Sequence, residues 1–80
     1  MLGEPDRLLQ RISVNPAVCS GKPVIRGTRI LVTNILSMLG AGYDFERVQE
    51  AYPELTREDI TAALEYASAI IDEEKIYPRG

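Results

Sequence analysis

A chain of 80 residues is long enough for one domain, and a domain of this size buries only about 60% of the surface of its unfolded chain. Its apolar share of 45% and charged share of 26% are typical of a folded globular protein and exclude an intrinsically disordered one. No window approaches the roughly 18 apolar residues of a membrane span, and the start lacks the pattern of a signal peptide, so we expect a cytoplasmic protein without membrane contact.

Charge is distributed unevenly along the chain. Residues 1–34 carry five cations and two anions, a net charge of +3, whereas residues 35–80 carry four cations and ten anions, a net charge of −6. This pattern indicates that a polyanion would meet the basic N-terminal arm, while the acidic half suits a basic partner or solvent. Cys19 is the only cysteine and histidine is absent, which excludes an internal disulfide and the usual zinc sites. We therefore expect no cofactor.

The first predicted elements in chain order are an N-terminal segment with little regular structure and a short strand. We expect residues 1–10 to form a loosely structured N-terminal segment that contains one turn of helix at residues 6–9. Residues 11–14 alternate polar and apolar side chains as a half-buried strand does, and Asn15-Pro16 is a turn signal that ends the strand.

The stretch 21–29, GKPVIRGTR, combines three cations and two glycines in a short extended segment. Pro23 suits the start of a strand, and Gly27 suits a positive φ in a tight turn, so we predict a small hairpin. Its tip and flank supply the candidate phosphate-binding side chains: Lys22, Arg26, Thr28 and Arg29. The alternative is a solvated turn whose glycine is purely structural.

Three helices are predicted after the hairpin. The first covers residues 32–39, where apolar residues recur at helical spacing before a pair of glycines. The second has Asp44 as its N-cap and ends before Pro53. The third begins with a capping box formed by Thr56 and Asp59 and extends to about residue 75. The domain spans residues 11–75 and is followed by a flexible tail at 76–80.

The third helix is apolar over more of its circumference than one core requires. Its main stripe consists of Ile60, Ala63, Leu64, Ala67 and Ile71. Its second apolar edge consists of Ala62, Tyr66, Ala69 and Ile70. The second edge predicts an interface, and a homodimer is expected because a thin core gains from a symmetric contact. The alternative is that these residues cover the N-terminal strands.

Two short helices followed by a longer one have the outline of a helix-turn-helix unit. Of the side chains at the start of the last helix, only Arg57 suits an anionic groove. Phosphates would repel its acidic neighbours Glu58, Asp59 and Glu65. We therefore expect the basic arm to dominate any contact with DNA.

The stretch 21–30 and a second motif at 52–60, YPELTREDI, resemble the bacterial and archaeal family called domain of unknown function 433, over about residues 12–70. The resemblance implies a mainly α fold: a three-helix, homeodomain-like helix-turn-helix bundle with a short N-terminal β-hairpin. It also implies a non-enzymatic antitoxin of a type II toxin–antitoxin system. Such a protein would bind a PIN-like ribonuclease toxin and, as a dimer, its own operator DNA.

The acidic end of the chain suits a nuclease partner, because a protein that handles RNA presents a basic groove. We predict that the C-terminal segment becomes ordered on the toxin. The predicted partner-binding residues are Tyr66, Ile70, Asp72, Glu73, Glu74, Ile76 and Tyr77. The alternative for each of these residues is that it belongs to a solvated, frayed C-terminus and binds no partner.

Two further classes of function remain as alternatives. An enzyme is disfavoured because Cys19 has no activating base and the carboxylates are scattered, so we predict no catalytic and no metal-binding residues. The carboxylates of Glu54, Glu58 and Asp59 could form a metal site, but residues of this type more often cap helices or lie on solvated helix faces. A protein-interaction module without DNA binding is favoured by the acidic third helix and disfavoured by the basic arm.

Overall fold

A computed structural model describes the backbone of residues 5–74 and the side chains of residues 7–72. The described elements are α1 (Pro5–Leu9), β1 (Ile12–Ser13), β2 (Val24–Ile25), α2 (Val32–Gly40), α3 (Phe45–Ala51) and α4 (Arg57–Glu74), with a 3-10 turn at Cys19–Gly21. The prediction of a mainly helical domain with a small antiparallel sheet is confirmed. The described residues contain four α-helices rather than three, because α1 forms in the segment predicted to hold a single turn.

The N-terminal sheet is followed by the predicted tight turn. β1 and β2 pair in antiparallel fashion, with Ile12 opposite Ile25. The Thr28 N–H donates to the Ile25 carbonyl over 2.9 Å, and Gly27 has a φ of 83°. This left-handed conformation suits glycine, because a side chain there would be strained. The chain then returns along β2, where the Ile25 N–H donates to the Ile30 carbonyl over 3.0 Å.

Helix α3 starts and stops at the residues that the sequence indicates. Asp44 is its N-cap, and the carboxylate accepts a hydrogen bond from the Arg47 N–H over 2.9 Å. This bond satisfies one of the amides that have no partner inside the helix. Pro53 follows the C-cap residue Tyr52, where a proline is expected to end a helix. The predicted N-cap is confirmed.

Helix α4 begins with the predicted capping box. The Thr56 N–H donates to Oδ2 of Asp59 over 3.0 Å, and the Asp59 N–H donates to Oγ1 of Thr56 over 3.1 Å. The reciprocal pair satisfies two backbone donors at the helix start, with aspartate in the place usually taken by Glu or Gln.

The core lies where α2, α3 and the sheet meet α4. Its buried residues are Ile12, Ile25, Ile30, Val32, Ile35, Val48, Leu55, Ile60, Ala62 and Ala63. The predicted main stripe of α4 is wrong at Leu64 and Ile71, which are 41% and 61% exposed, while Ala62 is fully buried. The stripe was assigned from helical spacing, which does not show which neighbours cover a helix, and α1 is a neighbour of α4 that the sequence did not predict. None of the described helices combines the length and the apolar content that crossing a membrane requires.

Candidate functional site

Arg26, predicted at the hairpin tip, links the hairpin to the segment that joins α1 and β1. Its Nε donates to the Gln10 carbonyl over 2.6 Å, and its Nη2 donates to the Ile12 carbonyl over 3.2 Å. Its backbone N–H also donates to the Arg11 carbonyl over 2.7 Å. Arg26 therefore has a structural role that sequence reasoning missed, since nothing local indicates which carbonyls a surface arginine reaches.

Thr28 closes the turn of the hairpin. Its hydroxyl donates to the Ile25 carbonyl over 2.7 Å and accepts from the Ile30 N–H over 3.0 Å. This one side chain forms hydrogen bonds to both sides of the turn. Its role in closing the turn is therefore enough to explain why Thr28 is present in the motif.

The other predicted DNA-binding residues are also exposed, and they do not line the cavity that Arg26 lines. Lys22 is exposed, and Arg29 lines an open cavity of about 510 Å³ beside Gly27 and Thr28. The guanidinium of Arg57 lies over the ring of Phe45, 4.7 Å from its centroid. The structure thus does not gather these side chains around one cavity.

A second cavity, of about 440 Å³, is polar and lies where α1, the sheet and the start of α4 meet. It is lined by Arg7, Gln10, Arg11, Arg26 and Asp59, and we call it the arginine cavity. Nη1 of Arg11 donates to Oδ1 of Asp59 over 3.0 Å. Asp59 is 7% exposed, so its carboxylate is nearly withdrawn from water and is neutralised by this pair.

Sequence reasoning counted Arg11 among the cations of the basic arm and did not predict its pairing with Asp59. The two residues are 48 positions apart, and no local pattern indicates that they meet. A weak signal was available in Asp59, because a carboxylate in the first turn of a helix that also faces the core needs a cationic partner.

A third concave surface is apolar and lies between the start of α2 and the C-terminal half of α4. This groove of about 220 Å³ is lined by Pro23, Val32, Thr33, Leu36, Tyr66, Ala67, Ile70 and Ile71, and we call it the apolar groove. Two predicted partner-binding residues, Tyr66 and Ile70, meet there, and Asp72 follows as an exposed residue of α4. The others, Glu73, Glu74, Ile76 and Tyr77, lie outside the residues whose side chains are described.

The carboxylates considered as metal ligands have other surroundings. Asp59 pairs with Arg11 and caps α4, while Glu54 and Glu58 are exposed. Across the described part of the chain, no three His, Cys, Asp or Glu side chains converge as a metal site requires.

The chain is similar to proteins whose function is not described. A family model described as "Protein of unknown function (DUF433)" matches residues 12–67. The uncharacterized protein y4eO of Sinorhizobium fredii (strain NBRC 101917 / NGR234) is 40% identical over 58 residues, which are 72% of this chain and 26% of that protein. The chain thus spans about a quarter of that relative's length. The crystal structure of a DUF433 member protein from Anabaena variabilis ATCC 29413 matches with a TM-score of 0.70 and 36% identity, covering 86% of this chain and 72% of that chain.

Proposed function

Since this chain belongs to the DUF433 family, we propose that it is a non-enzymatic antitoxin whose apolar groove binds a ribonuclease toxin. The observation that supports the proposal is the groove itself, which joins side chains of α2 and α4 into one apolar surface that no other described residue covers. A single exposed aliphatic residue is ordinary on a protein surface, but a contiguous concave apolar patch is typical of an interaction site.

The exposure of Ile70 and Ile71 favours a macromolecular partner. These neighbours are 37% and 61% exposed at the end of α4 that extends beyond the buried core. Covering such side chains contributes roughly 1.5–3 kcal/mol each, so two isoleucines and the Tyr66 ring supply a substantial part of a binding free energy. The concave shape suits apolar side chains that project from another protein.

The charge at the end of α4 favours a basic partner. Residues 58–74 of α4 include six acidic residues and no lysine or arginine. Asp72 is exposed and follows the apolar groove along the helix. We infer that Asp72 serves binding to a basic surface such as the RNA-binding groove of a nuclease.

Co-purification with the product of the neighbouring gene tests the proposal. We expect a tagged chain to retain that protein at about 0.15 M salt, because apolar contacts are not screened as charge contacts are. A Leu64→Glu chain is the matched control: Leu64 is exposed on α4 but lies outside the apolar groove, so this variant should retain the partner equally well. If neither the parent chain nor Leu64→Glu retains the product of the neighbouring gene, the toxin-binding proposal is rejected.

We further propose that α2, α3 and α4 form a homeodomain-like helix-turn-helix unit that binds operator DNA as a dimer. In support, only residues 52–56 connect α3 to α4. Lys22 and Arg29 are exposed cations of the motif whose side chains form no hydrogen bond with the described residues, whereas Arg26 and Thr28 also hold the hairpin together. A dimer would contact two half-sites about one DNA turn apart.

Arg29→Ala is expected to weaken binding to the DNA upstream of the gene and to reduce the slope of log affinity against log salt by about 1, because one phosphate contact is lost. Fluorescence anisotropy at several salt concentrations measures both quantities. Arg26→Ala is the comparison, and it should lower the free energy of unfolding by about 2 kcal/mol through the loss of two hydrogen bonds from a charged group. An unchanged slope for Arg29→Ala would favour a protein-interaction module without DNA binding.

A further inference from the structure

The arginine cavity concentrates positive charge on a chain whose net charge is −3. Three arginines, Arg7, Arg11 and Arg26, line it together with one acidic residue, Asp59, so its lining residues carry a net charge of +2. A concave surface with low-dielectric walls focuses such a field and raises the local concentration of anions. The cavity therefore attracts anions although the chain as a whole repels them.

Two of the guanidinium groups are held in place by the fold. Arg26 is fixed by the carbonyls of Gln10 and Ile12, and Arg11 is fixed by Asp59. Each guanidinium has five N–H donors, and these bonds use only some of them. Among the described residues, no hydrogen bond involves Nη1 of Arg26 or Nη2 of Arg11. Donors that are already positioned lower the entropic cost of binding a ligand.

Arg7 completes the set from α1. It is exposed and makes no ion pair or hydrogen bond with the side chains that the structure describes. The hydrogen bonds that Asp59 accepts come from Arg11 at Oδ1 and from the Thr56 N–H at Oδ2, and none of those described comes from Arg7. Within the described part of the chain, the guanidinium of Arg7 is therefore open to a ligand that enters the cavity.

We propose that the arginine cavity binds a phosphate group. A guanidinium matches phosphate oxygens with two parallel hydrogen bonds, and a tetrahedral phosphate offers oxygens in several directions. Three arginines supplied by α1, by the residue that precedes β1 and by the hairpin suit such a ligand better than a planar carboxylate. The group belongs either to a free phosphate compound or to a nucleic-acid backbone, and the site does not depend on binding of a toxin.

Titration of the ¹⁵N-labelled chain with inorganic phosphate at constant ionic strength tests the proposal by NMR. We expect saturable shifts at the amides of Arg11, Arg26 and Asp59. Arg7→Gln should raise the dissociation constant about tenfold, because a hydrogen-bonded charge pair is lost. The matched control is Arg47→Gln, which removes an equal charge from α3, where Arg47 pairs with Glu50, and should leave the constant unchanged. Arg7 makes no described contact that folding needs, so its variant should keep the parent amide spectrum elsewhere.

A second titration with a short DNA duplex identifies the source of the phosphate. If Arg7→Gln weakens binding of both the duplex and inorganic phosphate, the cavity holds a backbone phosphate. If it weakens only binding of inorganic phosphate, the cavity holds a small phosphate compound. Linear, non-saturating shifts would overturn the proposal, and so would equal phosphate affinities for the Arg7 and Arg47 variants. Binding of an acidic peptide without binding of phosphate would overturn it as well.

Discussion

Asp59→Ala is expected to lower the free energy of unfolding by about 3 kcal/mol, a large share of the stability of so small a domain. The substitution removes the acceptor for the Thr56 N–H at the start of α4, a loss of about 1 kcal/mol. It also removes the partner of Arg11, and a hydrogen bond to a charged group contributes roughly 1.5–3 kcal/mol. The Arg11 side chain is 41% exposed, so water offsets part of its loss.

Urea denaturation followed by circular dichroism measures this change. Glu58→Ala is the matched control, since Glu58 is an exposed acid in the same helical turn and its loss should cost less than about 1 kcal/mol. Asp59→Asn retains an acceptor for Thr56 but not the charge, so its stability should lie between those of the parent chain and Asp59→Ala. Equal stabilities for the Asp59 and Glu58 alanine variants would show that the Arg11–Asp59 pair does not stabilise the fold.

Ile70→Glu is expected to weaken binding of the toxin about 100-fold, equivalent to about 2.7 kcal/mol. The substitution places a charge in the apolar groove, and binding would then bury that charge without a partner. Stability of the free chain should change about as much as in Leu64→Glu, because Ile70 and Leu64 are 37% and 41% exposed. Titration calorimetry of the purified chain with the neighbouring gene product gives the dissociation constants.

Leu64→Glu is the matched control for this prediction, because it introduces the same charge at a residue of α4 with similar exposure outside the groove. Toxin affinity should match that of the parent chain. Equal losses for the two variants would mean that any acidic substitution on α4 disturbs binding, and no loss for either would place the contact elsewhere.

A second copy of the chain is the competing occupant of the apolar groove. Sedimentation velocity of the chain without toxin distinguishes the two occupants. If the groove binds the toxin and not a second copy, Ile70→Glu leaves the sedimentation coefficient unchanged. Conversion of a dimer to a monomer by this substitution would assign the groove to self-association.

Local features of the fold could be predicted because their causes lie within a few residues. Asp44 precedes the amide that it caps, and Thr56 and Asp59 satisfy each other's backbone donors three positions apart. Gly27 supplies the positive φ of a turn whose hydrogen bond joins nearby residues. In each case, one residue type at one spacing has a single favourable local geometry.

Features that depend on distant parts of the chain could not be predicted. The Arg11–Asp59 pair joins residues 48 positions apart, and the role of Arg26 depends on the position of the Gln10 and Ile12 carbonyls. Ala62 is buried and Leu64 is exposed, although helical spacing alone favoured Leu64, and the packing of α1 against α4 was not predicted. Helical periodicity identifies apolar faces but does not identify which neighbour covers each face.

The residues of the candidate sites could be predicted from local sequence, but their arrangement in space could not. Tyr66 and Ile70 were recognised from an excess of apolar surface on one helix, a property of local sequence. Their meeting with Leu36 in one groove depends on how α2 packs against α4. The basic motif was recognised from composition, but its Arg26 and Arg29 line different cavities once the hairpin folds.

Inhibition of the neighbouring gene product is the most direct test of the antitoxin proposal. The purified chain is titrated into that protein while cleavage of a labelled RNA is followed. We predict that cleavage falls to background near equimolar chain, and that Ile70→Glu inhibits only at a large excess. Cleavage that continues unchanged at an excess of the parent chain would contradict the proposal.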